Sequence, residues 1–153
     1  GRKQLKEFVA KFNTTYQPGT LEAVSFDESG KELGRSMIQT ASEETVLTVT
    51  PETTVLKANG EDLAYIVVNV TDNEGIVKVL EEKTVHAKVE GAGMLQAVGS
   101  GSPRKTEKYT GTSFTTYHGR MVAVVRSGTE TGEIKVTISA EGLAEKSITL
   151  KVL

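Results

Sequence analysis

Apolar and polar residues alternate along much of this chain. In Ile134-Lys135-Val136-Thr137-Ile138-Ser139-Ala140 the alternation is unbroken. Successive strand side chains point to opposite faces, so this segment reads as a strand dry on one side and wet on the other. The same period predicts strands over Phe8–Phe12, Thr20–Phe26, Val46–Thr50, Ala64–Thr71, Val85–Val89, Met94–Val98, Met121–Arg126, Glu133–Ala140 and Ser147–Val152. No segment carries a convincing helical stripe. Turn-forming residues separate the strands: Pro18-Gly19, Ser29-Gly30, Asn59-Gly60, Asn73-Glu74-Gly75, Gly91-Ala92-Gly93, Gly99–Pro103 and Glu141-Gly142. Short strands with such punctuation predict an all-β, antiparallel β-sandwich.

A polar stretch, Ala41–Thr45, divides two strand-rich blocks, and a boundary is placed there. Residues 46–153 supply about seven strands, a complete sandwich by count. Residues 1–45 supply only a few, near the size below which a lone core is hard to build. The first block is therefore expected to be a partial β-sandwich, the truncated end of a preceding domain. It carries Phe8, Phe12, Leu21, Val24, Phe26, Leu33, Met37 and Ile38, a large apolar surface to leave in water. It is expected to pack on the complete domain or to self-associate through residues 1–45.

Composition excludes several classes of function. The 153 residues are 37% hydrophobic and 25% charged with a net charge of −2, which describes a globular chain and argues against a nucleic-acid or anionic-membrane partner. Apolar runs are too short to span a bilayer as helices. Cysteine is absent, which removes disulfides and thiolate chemistry.

Candidate chemistry is sparse. His86 shares a strand face with Lys88, opposite Val85, Ala87 and Val89, and reads as solvent-facing. His118 lies in Tyr117-His118-Gly119-Arg120, a turn in which a structural hydrogen bond is the simplest role. These are the only two histidines, without metal-ligand spacing. Glu81 and Glu82 are neighbours, which on a strand point opposite ways and cannot form the carboxylate pair of a glycosidase by local geometry. Asp72-Asn73-Glu74-Gly75 has the oxygen density of a cation loop but lacks an EF-hand ladder, so a turn is the economical reading. Gly99–Pro103 lacks the lysine and helix of a phosphate-binding loop. Arg104-Lys105 with Lys108-Tyr109 forms a local basic patch. Asn13-Thr14-Thr15 and Asn69-Val70-Thr71 match the glycosylation pattern. No catalytic, cofactor-binding or metal residue is assigned.

A family resemblance takes the reading further. Tyr16–Val24, Gly30-Lys31-Glu32 and Thr40-Ala41 resemble the closing strands of an immunoglobulin-like domain in glycoside hydrolase family 2 enzymes. Leu56–Leu63, Val68–Gly75, Val98–Pro103 and Tyr117–Ser127 resemble a further C-terminal domain of the same enzymes, mostly bacterial β-galactosidases. Ser100 departs from that pattern, where many relatives have Asn. The resemblance implies an immunoglobulin-like sandwich over residues 46–153, with residues 1–45 ending the domain before it. It also implies a non-catalytic accessory region that needs no cofactor and whose partners are the other domains of the parent glycosidase. The family's two catalytic glutamates would lie upstream. By analogy with the family's polysaccharide-scavenging setting, a secreted or periplasmic location is favoured. Two alternatives stay open. One is a carbohydrate-binding module in which Tyr109 and Tyr117 stack on sugar. The other is a surface-adhesin type of immunoglobulin-like repeat.

Overall fold

The computed structural model describes residues 8–104 and 106–153, and Lys105 of the basic patch lies outside them. The fold is all-β and divides into two compact units, Gly1–Thr40 and Ala41–Leu153. Residues 42–45 are tied to the second unit. The Ser42 amide donates to the Asp72 carboxylate at 2.8 Å, and the Lys78 ammonium donates to the Glu43 carbonyl and the Thr45 hydroxyl at 2.7 and 2.8 Å.

The first unit contains one hairpin, β1 (Thr20–Phe26) paired antiparallel with β2 (Glu32–Gln39). Asp27 sets its turn. Its carboxylate accepts the Lys31 amide at 2.9 Å and the Ser29 hydroxyl at 2.6 Å. Those bonds, the hydroxyl first, hold its pKa below the ordinary carboxylate value. Across the hairpin the Arg35 guanidinium reaches Glu22 at 2.6 Å and Glu32 at 3.0 Å. The expected strand at Phe8–Phe12 is not present. Phe8 has φ +63°, outside the extended region, and Val9 makes only an isolated bridge. Phe8, Phe12, Leu21, Phe26, Leu33, Met37 and Ile38 are all exposed.

The second unit is an immunoglobulin-like sandwich. Its strands are β3 (Val46–Pro51), β4 (Val55–Leu56), β5 (Leu63–Thr71), β6 (Thr84–Gly91), β7 (Gly93–Gly99), β8 (Ser113–Thr115), β9 (Arg120–Ser127), β10 (Gly132–Ala140) and β11 (Lys146–Val152). They form a five-stranded sheet, β4-β11-β10-β6-β8, and a four-stranded sheet, β3-β5-β9-β7. All ladders are antiparallel except the short pairing of β4 with β11. Alternation places Val85, Ala87, Ile134, Val136, Ile138 and Leu150 of one sheet against Ile66, Val68, Val70, Ala123 and Val125 of the other, in one continuous core. Phe114 of β8, fully buried, is the largest side chain in it.

The chain crosses between the sheets at Gly91-Ala92-Gly93. Gly91 has φ +102°, and a Cβ there would collide with the Glu133 carbonyl oxygen. The Ala92 amide instead donates to that oxygen at 2.9 Å. Only glycine fits the crossing.

Candidate functional site

The residues singled out in the sequence fall into three places. His118 and Gly119 form the two-residue turn of a tight hairpin, with φ +49° and +71°. Tyr117 and Arg120 exchange amide-to-carbonyl bonds of 2.9 and 3.1 Å across it. The His118 ring Nδ1 lies 3.3 Å from the Val79 carbonyl, which fastens this turn to the preceding loop. It is a contact of the kind the turn chemistry suggests. His86 is exposed on β6, on the wet side of the five-stranded sheet.

Asp72 is buried, 2% exposed. One carboxylate oxygen accepts the amides of Glu74 and Ile76 at 2.9 and 2.8 Å, and the other accepts the Ser42 amide. These amides, Ser42's first, hold its pKa below 3.8. The turn continues to Gly75 at φ +85°. Its oxygen density is thus spent on the backbone. Among the described residues no group of three or more His, Asp or Glu is placed to hold a metal. Asn69 sits inside β5, half-buried, rather than on a surface loop as a glycosylation acceptor would.

The third place gathers most of the remainder. The Gly99–Gly101 segment leaves β7 between the two predicted tyrosines. A Cβ at Gly99 would stand 3.0 Å from the Tyr109 ring, and one at Gly101 would stand 3.7 Å from Tyr117. Tyr109 is held by its backbone, whose carbonyl accepts the Val98 amide at 2.8 Å. Its ring stacks on Phe114 with centroids 5.3 Å apart and planes at 17°. Tyr109 is 58% exposed. Beside it runs a groove of about 470 Å³, whose floor is Ala97, Val122 and Val124 and whose ends are Ser100 and Arg120. Tyr117 does not line it and instead tilts against the His118 ring.

Sequence reasoning did not find that floor. It is part of the outward face of the four-stranded sheet, where Leu63, Tyr65 and Val67 of β5 pair across Arg126, Val124 and Val122 of β9, with Met94, Ala97 and Gly99 of β7 beyond. Alternation should make this face polar, as it does on the other sheet. The signal was present in Met121–Val125, five apolar residues in succession, the pattern of a strand covered on both faces.

The fold and the groove define a class: an immunoglobulin-like β-sandwich with an aliphatic groove on its four-stranded sheet. Residues 47–149 match the family model described as glycoside hydrolase family 2 C-terminal domain 5. The chain belongs to that family. It is 28% identical over 144 residues to the β-galactosidase BoGH2A of Bacteroides ovatus, covering 94% of this chain and 17% of that protein. Among solved structures, a glycosyl hydrolase family 2 member from Bacteroides cellulosilyticus superposes with a TM-score of 0.88 at 32% identity, over 92% of this chain and 18% of that one. A β-glucuronidase from glycoside hydrolase family 2 superposes with a TM-score of 0.83 at 25% identity, over 92% and 15%. The chain spans less than a fifth of the length of these relatives.

Proposed function

We propose that this chain is a non-catalytic accessory region of a β-galactosidase-like glycoside hydrolase, where it stabilises or orients catalytic domains that lie upstream. One observation carries the reading. Nearly the whole chain aligns with a β-galactosidase while covering 17% of it, so it corresponds to a module within a much larger enzyme. The site chemistry supports it. His118 is tied up in a turn, Asp72 is consumed by backbone amides, and Glu81 and Glu82 lie in the connection before β6. A glycosidase needs two carboxyl groups facing each other across a bond.

In the same reading residues 1–45 are the last part of the preceding immunoglobulin-like domain, and the β1–β2 hairpin with its exposed apolar residues is what such an excerpt would look like. Two measurements test the proposal. The 153-residue chain should not hydrolyse a chromogenic galactoside above buffer. Deleting residues 46–153 from the full-length enzyme should lower its melting temperature or its kcat/KM. Turnover that co-purifies with this chain, or a deletion without either effect, overturns it.

A further inference from the structure

The two outer faces of the sandwich differ in chemistry. The five-stranded sheet presents His86, Lys88, Glu90, Lys135, Thr137 and Lys151 to solvent. On the four-stranded sheet the outward positions include Leu63, Tyr65, Val67, Val122, Val124 and Met94 beside Thr48, Thr50, Asn69, Arg120 and Arg126, with Tyr65 and Met94 exposed at 44% and 49%. Monomeric proteins seldom leave a contiguous apolar patch of this kind uncovered, and when they do it marks an interaction site.

A second observation falls on the same face. Among the described residues three buried side-chain polar atoms have no partner: Asn69 Oδ1, Arg126 Nε and Ser100 Oγ. Asn69 and Arg126 are outward residues of β5 and β9, and Ser100 lines the groove. Arg126 directs one N–H to the Met94 sulfur at 3.2 Å, a weak acceptor for a guanidinium. Arg120, at the other end of β9, donates to the His118 carbonyl. Those three atoms are enclosed by this chain's own atoms, but strands β3, β5, β7 and β9 contain no Asp or Glu to pair with the guanidinium groups of this face, and a guanidinium is best satisfied by a carboxylate.

We propose that this face docks a neighbouring domain of the same polypeptide, one that presents aliphatic side chains to Val122, Val124 and Tyr65 and carboxylates to Arg120 and Arg126. The inference rests on the accessory-domain reading above and names the surface it uses. More than four-fifths of the length of the matching relatives lies outside this chain, and a tethered neighbour meets the face at high effective concentration, so even a modest apolar area suffices. The chemistry disfavours the other occupants. A sugar needs hydrogen-bond partners for its hydroxyls, and the floor of Ala97, Val122 and Val124 offers aliphatic carbon. A second copy would bring Arg120 and Arg126 to a face whose four strands, β3, β5, β7 and β9, contain no Asp or Glu.

The chain has no cysteine, so a single introduced thiol reports coverage. Val124→Cys on the apolar face and Lys135→Cys on the polar face are each placed in the 153-residue chain and in the full-length enzyme. Maleimide labelling of the cysteine-bearing peptide is followed by mass spectrometry. The 124 thiol should label at least tenfold more slowly in the full-length enzyme than in the short chain, while the 135 thiol labels equally in both. Equal labelling at 124 overturns the proposal. So does protection of the 124 thiol within the short chain by a millimolar oligosaccharide or by dimerisation, which would assign the face to sugar or to a second copy. If deletion of the module destabilises the enzyme yet the 124 thiol stays reactive, the docking surface is wrong and the accessory role stands.

Discussion

Replacing Gly91 with alanine should be among the most damaging single-methyl changes in this chain, and the structure says how damaging. Gly91 and Gly142 both have positive φ, +102° and +75°. Alanine at either position meets the left-handed penalty of about 1–2 kcal/mol. At Gly142 nothing lies within 4 Å of the added Cβ, so that penalty is the whole cost. At Gly91 the Cβ collides with the backbone oxygen of Glu133, which cannot rotate away as a side chain would. Relieving the overlap displaces β10, breaks the bond from the Ala92 amide and strains the pairing of Ile134 with Gly91. Each lost hydrogen bond adds about 1 kcal/mol, and the backbone distortion adds about 1–3 more. Gly91→Ala should therefore cost roughly 4 kcal/mol in total, a large part of the ~5–15 kcal/mol available to a domain. At about 4 °C per kcal/mol for a domain of this size, the melting temperature should fall by about 15 °C for Gly91→Ala and about 5 °C for Gly142→Ala. Urea titrations at fixed slope measure the same difference. If the two variants unfold within 1 kcal/mol of each other, the account of the sheet crossing is wrong.

Other consequences are measurable on the same protein. Because the folded-state pKa of Asp72 is depressed below 3.8, its ionisation stabilises the fold above that value, and the stabilisation is lost as pH falls through the folded pKa. Urea midpoints taken from about pH 6 down to about pH 2 should drop more steeply for the parent sequence than for Asp72→Asn, which should start lower at neutral pH; parallel curves would refute the role given to the carboxylate. Phe114→Ala removes the largest fully buried side chain and should cost about 3–5 kcal/mol, read by denaturant midpoint, and should speed amide exchange in residues 106–112, whose Tyr109 ring rests on Phe114. The exposed apolar residues of β1 and β2 should either protect their amides from exchange or drive association detectable by light scattering. A monomer whose first 45 residues exchange like an unfolded chain would contradict this.

Much of the architecture was legible because the core strands obey one simple rule. β5, β6 and β10 alternate on their inner side, and each was placed to within a residue or two by that alternation. The strands that escaped had no period to show. β4 and β8 are two and three residues long, and their pairing is dictated by neighbours rather than by their own side chains. β2 reads Glu-Leu-Gly-Arg-Ser-Met-Ile-Gln, without alternation and with Gly34 at its centre. It forms because the Asp27 turn folds it back onto β1 and the Glu22–Arg35 pair closes across the strands. The expected strand at Phe8–Phe12 is the converse error, apolar content that makes an isolated bridge at Val9 in place of a ladder.

The same rule shows why the groove was harder to see than the core. Alternation reports burial on one face only when the other face is wet, as in β10, where Lys135, Thr137 and Ser139 face outward. In β9 the outward positions are Val122, Val124 and Arg126, so the period vanishes into the run Met121–Val125. A strand of a two-layer sandwich has one core to serve, and the inner residues Met121, Ala123 and Val125 already serve it. The outer valines add nothing to that core, and β-propensity alone would have been met by threonine, as it is at positions 48 and 50 of β3 in the same sheet. A partner outside the sandwich would account for their apolar character, and the lack of any Asp or Glu in β3, β5, β7 and β9 to pair with Arg120 and Arg126 fits the same cause.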